Sequence, residues 1–412
     1  MITQDTFTTC KIVIKNAISK MPSLKISRQK FILEIVLLFL GIRGRYNFVQ
    51  FSREGNRNEK SFRYQFEKPF DWMRFNINIV NQHCGDEKIL GFDPSYIRKS
   101  GKHSPGLGHF YSGCQSRYIK GLEVGSFAAI DVKQRTAFHL EAVLSPVAKY
   151  DRIDKDKTLI DHYADCVVER SASLREVSTV LVCDAYFTKK KFIDKVCDDA
   201  DFEMIGRTRD DANLRYLYKG DQNKGRGRPK VYDGKVDTKN IDKRRIRLFH
   251  EDEKCRIYSG ILNSISLKRN IKIAYVEHIL ASGKIVTKIY FSTNLKRKAI
   301  EILDYYRLRF QMEFLFRDGK QHVGLEHCQA RSKNKLNFHL NASLSTVSVA
   351  KIATRNKTLL SDKSSFSMSD VKTEFQNRNF ANRFISMYPN ELNLQKIKNT
   401  LLDFLNFGKI AA

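Results

Sequence analysis

The sequence lacks the paired cysteines and the long apolar segments that would place the chain in an oxidising or membrane setting. Its eight cysteines are scattered without a C-x-x-C pair, which argues against a zinc module or a disulfide framework and fits a reducing cytoplasm. The longest apolar run, Phe31 to Gly41, contains Glu34 and is too short to span a bilayer. Neither its position nor its flanks suit a cleavable signal peptide. We therefore expect a cytoplasmic protein without a membrane partner.

Acidic residues are also scarce relative to basic ones. The chain has 45 Asp and Glu against 73 Lys and Arg, a net charge of +28, and a pI near 9.7. Such an excess says little about fold, but it indicates a polyanionic partner, above all nucleic acid. At 412 residues the chain has room for two or three domains and a substantial core.

The segment 304–320, DYYRLRFQMEFLFRDGK, carries an unusual set of polar side chains. Arg309, Glu313 and Lys320 follow Tyr306 by three, seven and fourteen residues. On a continuous helix these offsets would place the four side chains within an arc of about 60°. Such a stripe could be a solvated face joined by ion pairs. It could equally hold a phosphate backbone while the carboxylate binds a metal ion.

The spacing Tyr-x2-Arg-x3-Glu-x6-Lys resembles the Y-R-E-K signature of DDE transposases of the insertion-sequence-four family. The resemblance implies an α/β fold with a ribonuclease H-like catalytic core. It also implies that Glu313 is the glutamate of a catalytic DDE triad, with two aspartates upstream. Arg309 and Lys320 would contact the DNA of the element's end, whereas Tyr306 would bind a phosphate or simply pack.

Asp184 is the candidate for the second aspartate. It ends the apolar stretch Val180 to Cys183, which reads as a short buried strand, and a basic helix-like stretch follows. An acid at the end of a buried strand lies where α/β sheets bind ligands. An aspartate after a strand can also be a helix N-cap. The pattern resembles the second D of the same transposase family, and we predict a catalytic role.

The first aspartate has two candidates. Asp93 ends the first plausible strand of the core and is followed by Ser95 and a long polar, glycine-rich loop. In the resembled family the first D has this setting. Asp131 lies between two apolar runs that look like a hairpin, where a turn aspartate is usually structural. We therefore predict Asp93 as the first catalytic carboxylate and keep Asp131 as the alternative.

Three carboxylates in one place repel one another unless cations neutralise them or one holds a proton. Two Mg²⁺ ions would resolve the repulsion, and oxygen ligands suit this hard cation better than His or Cys does. We expect Asp93, Asp184 and Glu313 to hold two Mg²⁺ ions per site, with Mn²⁺ as a substitute.

Other basic segments predict DNA contacts. The segment around Gly55 outlines a helix-turn-helix whose second helix offers Lys60 and Arg63; the alternative is a small bundle with a solvated basic face. The stretch GRGRPK resembles the AT-hook core that lies in the minor groove, although a flexible basic loop in non-specific phosphate contact explains it as well. It supplies three further candidates, Arg226, Arg228 and Lys230.

We predict an α/β protein with a ribonuclease H-like core, a β-rich insertion and an N-terminal helical DNA-binding domain. The predicted units are 1–80 (N-terminal helical DNA-binding domain), 81–212 (first part of the core), 213–293 (β-rich insertion), 294–355 (second part of the core with the catalytic helix) and 356–412 (C-terminal helical tail).

The function implied by the resemblance is that of a bacterial transposase near the nucleoid. Such an enzyme cuts the inverted-repeat ends of its element and joins them to target DNA, acting as a homodimer on double-stranded DNA. Two alternatives stay open at this point. One is a metal-dependent nuclease on the same fold that does not join strands, and the other is a basic DNA-binding protein whose acidic residues are structural.

Overall fold

A computed structural model describes residues 5–101, 103–112, 116–146, 157–222, 227–360, 365–387 and 404–409. Helices alone make up the first part. Their bounds are α1 (Thr6–Ser19), α2 (Ile26–Gly41), α3 (Phe48–Glu54), α4 (Glu59–Glu67) and α5 (Trp72–His83).

Asparagine caps start the two short helices that the sequence predicts around Gly55. Asn47 accepts a hydrogen bond from the backbone of Gln50 at the start of α3, and Asn58 accepts one from Ser61 at the start of α4. Gly55 is the C-terminal cap of α3, and its N–H donates to Phe51 O at 2.8 Å. The two short helices predicted on either side of Gly55 are therefore present, whereas the helix-turn-helix role stays a prediction.

Twelve strands of the described residues form a mixed sheet in the order β2-β3-β1-β5-β6-β12-β11-β10-β7-β8, with β4 paired to β3 and β9 to β10. The first six are β1 (Lys88–Arg98), β2 (Gly108–Ser112), β3 (Arg117–Asp131), β4 (Thr136–Leu144), β5 (Val180–Cys183) and β6 (Glu203–Arg207). The other six are β7 (Leu214–Leu217), β8 (Tyr232–Lys235), β9 (Arg247–Glu251), β10 (Cys255–Ser264), β11 (Arg269–Ile279) and β12 (Ile285–Ser292).

The core of the sheet combines an antiparallel meander with parallel strands. Strand β3 pairs antiparallel with both β1 and β4, whereas β5 pairs parallel with β1 on its other edge and β6 pairs parallel with β5. This mixed arrangement fits the ribonuclease H-like core that the sequence predicts. The strands predicted for 213–293 are also present, and antiparallel pairing of β12 with β6 joins them to the same sheet.

Helices cover both faces of the core. Their bounds are α6 (Leu159–Arg175), α7 (Lys190–Asp194), α8 (Ala299–Leu308), α9 (Gln311–His322), α10 (Lys333–Leu360) and α11 (Met368–Met387). Neighbouring residues of β1 point to opposite faces. The Phe92 ring lies 5.3 Å from the ring of Tyr163 on α6, whereas Gly91 faces Met312 on α9. The sheet is thus the middle of three layers.

Helix α10 connects the N-terminal helices to the sheet. It packs against β4 and also against α1, α2 and α4. The Phe338 ring on α10 lies 4.5 Å from the ring of Phe66 and 5.8 Å from that of Phe31. Buried Lys372 of α11 donates to Phe39 O and Ile42 O at the end of α2, at 2.9 and 2.5 Å. The apolar core therefore runs from the first helices to the last without a break.

A search of the described residues for a helix long and apolar enough to cross a membrane finds none.

Candidate active site

Two predicted aspartates lie side by side where the parallel pairing of β1 with β5 ends. Asp184 follows β5, whereas Asp93 lies within β1, which continues to Arg98 in pairing with β3, so the prediction that Asp93 ends its strand is wrong. Phe92 of β1 is in register with Cys183 of β5, so the next residue of each strand, Asp93 and Asp184, stands at the same level. Asp184 also begins a short 3₁₀ turn, where its Oδ1 accepts the N–H of Ala185 at 2.6 Å. It therefore occupies both settings that the sequence suggests, the sheet edge and a helix N-cap.

Arg207 stands at the same edge and is not among the residues predicted from the sequence. Val182 of β5 is in register with Ile205 of β6, so Asp184 and Arg207 lie at matching levels two residues further on. Arg207 donates to Asp210 at 3.0 Å, and its side chain is 28% exposed. In the sequence, Arg207 could have been noticed only as a basic residue at the end of the strand that follows β5.

The segment that carries Glu313 is not one continuous helix, and the predicted four-turn stripe is wrong in this respect. Helix α8 ends at Leu308 and α9 begins at Gln311. Across the break, the N–H groups of Arg309, Phe310, Met312 and Glu313 each donate to the carbonyl three residues earlier. This is the tighter 3₁₀ pattern, which advances about 120° per residue instead of 100°. Glu313 is therefore rotated relative to Tyr306.

Side-chain contacts join this segment to Asp93 and Asp184. Tyr306 donates its hydroxyl to Asp184 Oδ1 at 3.4 Å. Arg309 donates to Asp93 Oδ2 at 3.3 Å and to Glu313 Oε1 at 3.2 Å. The three predicted carboxylates thus meet around a tyrosine and an arginine of the same motif. The side chains of Asp93 and Arg309 are 16% and 15% exposed, whereas that of Glu313 is 45% exposed.

Gly91 allows α9 to approach the strand that carries Asp93. A Cβ atom on Gly91 would lie 2.6 Å from Sδ of Met312 and 3.0 Å from Cδ1 of Ile130. Since Met312 precedes Glu313, the missing side chain of Gly91 brings Glu313 toward the sheet edge. Gly91 and Met312 are positioning residues that the sequence reasoning missed, because a strand glycine gives no sign of what faces it.

Burial and neighbouring charges shift the pKa values of three side chains in the site. Burial raises the pKa of Asp93 to about 7; Arg309 opposes that rise, and Asp184 and Glu313 add to it. Burial together with the charge of Asp184 raises the pKa of Tyr306 to about 12, so its phenol stays a donor. Burial is the largest single influence on the pKa of Arg309 and lowers it, but Asp93, Tyr306, Asp184 and Glu313 together outweigh burial and raise it.

The donor set fits a hard divalent cation. The three carboxylates offer only oxygen ligands, which Mg²⁺ and Mn²⁺ prefer. Burial raises the pKa of Asp93 by more than the Arg309 guanidinium lowers it. Further positive charge near these oxygens would therefore stabilise the ionised site.

Asp131, the alternative first carboxylate, lies elsewhere. Its Cα partner across β1 is Lys88, five residues before Asp93 along that strand. Its side chain is fully buried and accepts hydrogen bonds from Gly85 N at 2.8 Å and from the backbone and side chain of Gln134 at 2.8 and 2.6 Å. These contacts are typical of a structural turn aspartate.

The remaining predicted DNA contacts are spread over the surface. Lys60 and Arg63 lie on α4, and Arg63 pairs with Glu59 at 2.5 Å. Arg228 and Lys230 are exposed ahead of β8, where Lys230 pairs with Asp233 at 3.0 Å. Lys320 is half-buried in the last turn of α9, and Arg226 lies outside the described residues.

Comparison with known families adds one finding. Residues 156–347 match a family described as the transposase DDE domain. The matched region covers a little under half of the chain and includes Asp184, Glu313 and the strands from β5 to β12, but not Asp93. No curated protein matches the chain.

Proposed function

We propose that this chain, a transposase by its DDE domain, is the enzyme of a bacterial insertion sequence that cuts the ends of its element and joins them to target DNA. Transposases are polynucleotidyl transferases that act on DNA, and those of the DDE class generally use divalent metals. The observation that carries the proposal is that Tyr306 contacts Asp184 while Arg309, three residues later, contacts both Asp93 and Glu313.

The carboxylates would bind the metal ions, and the metal ions would assist phosphoryl transfer. Asp93, Asp184 and Glu313 would hold two Mg²⁺ ions, or Mn²⁺ in their place, and these ions would neutralise charge on the reacting phosphate and acidify the attacking hydroxyl. Water first attacks a phosphodiester at the element's end, and the bond from phosphorus to the 3′ oxygen breaks. The freed 3′ hydroxyl then attacks a target phosphodiester and displaces its 3′ oxygen.

The chain's cationic side chains would hold the DNA. Arg309 can exchange its carboxylate partners for a bidentate phosphate contact. Arg207 stands beside Asp184 at the same edge, and Lys320 lies seven residues beyond Glu313 on α9, about 10 Å along the helix. Tyr306 orients Asp184 through its hydroxyl. This division of roles supports membership of the insertion-sequence-four family with the Y-R-E-K signature.

DNA binding would extend beyond the catalytic edge. Lys60 and Arg63 on α4 offer cations on the N-terminal helices, and Arg228 and Lys230, with Arg226, offer them on the β-rich insertion. The partner is double-stranded DNA, both the inverted-repeat ends of the element and the target. We further propose that two copies act together as a homodimer, each holding one end, near the bacterial nucleoid.

The test uses the DNA that flanks this gene. Purified protein and MgCl₂ are incubated with that fragment and a target plasmid, and breaks and joined products are mapped. The wild type is expected to cut the element's ends and join them to the plasmid. Glu313→Gln is expected to abolish both reactions while retaining DNA binding, because it removes a negative ligand without changing side-chain volume. Asp304→Asn, a carboxylate of α8 outside the cluster, is the matched control and should remain active.

Each other outcome selects a different function. Cleavage without joined products would favour a nuclease. Binding without cleavage, unchanged by Glu313→Gln, would leave a DNA-binding protein with a structural acidic cluster. Cleavage that survives Asp93→Asn but not Asp131→Asn would move the first carboxylate to the alternative position.

A further inference from the structure

A second cluster of potential metal ligands lies where β9 turns into β10, four strands along the sheet from β5. His250 is in β9, Cys255 is the first residue of β10, and Asp252 lies in the turn between them. The turn is closed by a hydrogen bond from Asp252 N to Cys255 O at 2.9 Å. One ligand atom from each of the three side chains lies within 4.8 Å of the other two.

The spacing of these atoms matches that around a tetrahedral ion. Zinc bonds of about 2.0–2.1 Å to nitrogen, 2.0–2.2 Å to oxygen and 2.3 Å to sulfur place neighbouring ligand atoms about 3.3 Å (N to O) and about 3.6 Å (S to O) apart. In the structure, His250 Nε2 lies 3.1 Å from Asp252 Oδ2, and Cys255 Sγ lies 3.7 Å from the same oxygen. Little rearrangement would be needed to admit an ion.

The backbone of the turn fixes the carboxylate in a suitable orientation. Asp252 Oδ1 accepts the N–H groups of Lys254 and Cys255, both at 2.7 Å, which leaves Oδ2 directed at His250 and Cys255. Outer hydrogen bonds of this kind orient the ligands of protein metal sites. The His250 and Asp252 side chains are 44% and 48% exposed, whereas Cys255 is buried beneath them. An ion could enter from solvent and keep water as its fourth ligand.

We propose that His250, Asp252 and Cys255 form a site for Zn²⁺ or a similar borderline-soft divalent ion, separate from the carboxylate cluster. Imidazole and thiolate select such ions over Mg²⁺. Binding forms metal bonds to His250 Nε2, Asp252 Oδ2 and Cys255 Sγ and releases the thiol proton to solvent. One thiolate and one carboxylate then balance the two charges of the ion.

A bound ion would stabilise the pairing of the exposed strand β9 with β10. All residues of β9 are exposed, and the strand pairs with β10 alone among the described strands. The same strand contacts α8, the helix that leads to Arg309. An ion bound to both ends of the turn would hold β9 on the sheet. The absence of a C-x-x-C pair from the sequence does not argue against this site, because the site uses a single cysteine.

Cobalt substitution tests the site in the full-length protein. Co²⁺ is titrated into metal-free protein in the presence of excess Mg²⁺, which fills the oxygen-only cluster. A bound thiolate gives a sulfur-to-cobalt charge-transfer band in the near ultraviolet, which carboxylates cannot produce. We expect this band to saturate at one Co²⁺ per chain and to disappear in Cys255→Ser. Cys197→Ser, a change at a half-buried cysteine outside the site, should leave the band intact.

A second measurement guards against misfolding. His250→Gln changes a partly exposed side chain, so the variant should fold. It should weaken Co²⁺ binding at least about tenfold, since even outer partners of metal sites contribute about 10- to 100-fold. Added ZnCl₂ should raise the Tm of the wild type and not that of Cys255→Ser or His250→Gln. Absence of the charge-transfer band in folded wild-type protein, or its survival in Cys255→Ser, would overturn the proposal. Neither result depends on transposition.

Discussion

At the scale of single residues, the distance between Asp93 and Glu313 depends on a side chain that is missing. Gly91 lies two residues before Asp93 and lets Met312 pack against β1, with no room for a Cβ atom. The clustered carboxylates therefore come from elements that are held together by apolar packing, not only by Arg309. A strand glycine commonly marks such a close approach.

Gly91→Ala is expected to lower cleavage activity on the order of 100-fold, because misplacement of a catalytic group by about 1 Å can have that effect. The added methyl must displace Met312 and with it the start of α9. Stability should fall by about 1–3 kcal/mol, as is usual for overpacking. Cleavage rates and urea unfolding of the variant measure the two effects.

Two variants separate displacement of α9 from a general loss of folding. Gly85→Ala places a Cβ at ordinary contact distance, 3.5 Å from the nearest atom, and should be almost neutral. Gly91→Ala combined with Met312→Ala removes the clash and should recover part of the activity. If the double variant is no more active than Gly91→Ala, the close approach is not what positions Glu313.

Arg309 occupies the position of a counter-ion between two of the carboxylates. It contacts Asp93 and Glu313 directly. Because a cation at this point repels other cations, Arg309→Met should bind Mn²⁺ at least about tenfold more tightly without DNA. A unit charge about 4 Å away is worth several kcal/mol at an effective dielectric constant of about 20. Titration of free Mn²⁺ by electron paramagnetic resonance measures the affinity.

The matched control is Arg307→Met, which removes an exposed arginine two residues earlier. It should leave Mn²⁺ affinity nearly unchanged, since bulk solvent screens its charge. Equal affinities for Arg309→Met and the wild type would contradict a counter-ion role for Arg309.

Glu123 on β3 gives a pH dependence of stability. The side chain is buried and accepts a hydrogen bond from the Tyr163 hydroxyl. Burial raises its pKa from 4.5 to about 7, against the opposing hydrogen bonds of Ser145 and Tyr96. Between those pH values the folded protein keeps a proton that the unfolded chain has released. The free energy of unfolding should therefore fall as the pH rises through this window.

Glu123→Gln should remove this part of the pH dependence, because an amide does not titrate. Relative to wild type, the variant should gain on the order of 3 kcal/mol between about pH 5 and about pH 8, at 1.36 kcal/mol per pKa unit. Urea unfolding at the two pH values gives the difference. Glu169→Gln, at a glutamate 69% exposed, should behave like the wild type. A parallel pH profile for Glu123→Gln and wild type would mean that Glu123 ionises normally.

At the scale of elements, the strands were the predictable part. The apolar stretch before Asp184 corresponds residue for residue to β5, and the strands predicted between 213 and 293 are present. Alternation and turn residues are local signals, so a single sequence carries them. The break between α8 and α9 was not predictable in the same way. It contains neither proline nor glycine, and its hydrogen bonds change from the fourth to the third preceding residue.

The contacts between elements were the harder part of the site. That Asp93 and Asp184 lie side by side follows from the register of β1 with β5, which depends on the whole sheet. Arg207 enters the site through the register of the next strand, and Gly91 through the packing of α9. Such relations join residues far apart in the chain and leave no local pattern. The Y-R-E-K resemblance pointed to Glu313, but it did not predict the break between α8 and α9 or the packing that positions Glu313.

At the scale of the whole molecule, the N-terminal helices share their core with the helices that follow the site. Phe66 of α4 packs on Phe338 of α10, and α10 packs on β4. DNA bound at Lys60 and Arg63 would therefore be held by a body continuous with the catalytic sheet. The predicted units 1–80 and 356–412 stay a prediction about folding, which this packing does not test.

The net charge of +28 leads to the last prediction, which concerns DNA affinity. Log K should fall linearly with log salt, with a slope of about 0.9 for each phosphate neutralised. If Lys60 and Arg63 contact phosphates, the double variant Lys60→Ala/Arg63→Gln should bind more weakly. Its slope should be smaller by up to about 1.8. Fluorescence anisotropy with an element-end duplex over a range of KCl concentrations measures both quantities.

A control of equal charge separates local contact from net charge. Lys15→Ala/Lys20→Ala removes two exposed cations from the region of α1, away from α4. Both double variants carry the same net charge, so long-range attraction weakens equally in each. Only loss of direct phosphate contacts changes the number of released counter-ions. Equal salt slopes for the two variants would remove Lys60 and Arg63 from the DNA interface, and would leave the helix–turn–helix outline of α3 and α4 as packing for α10.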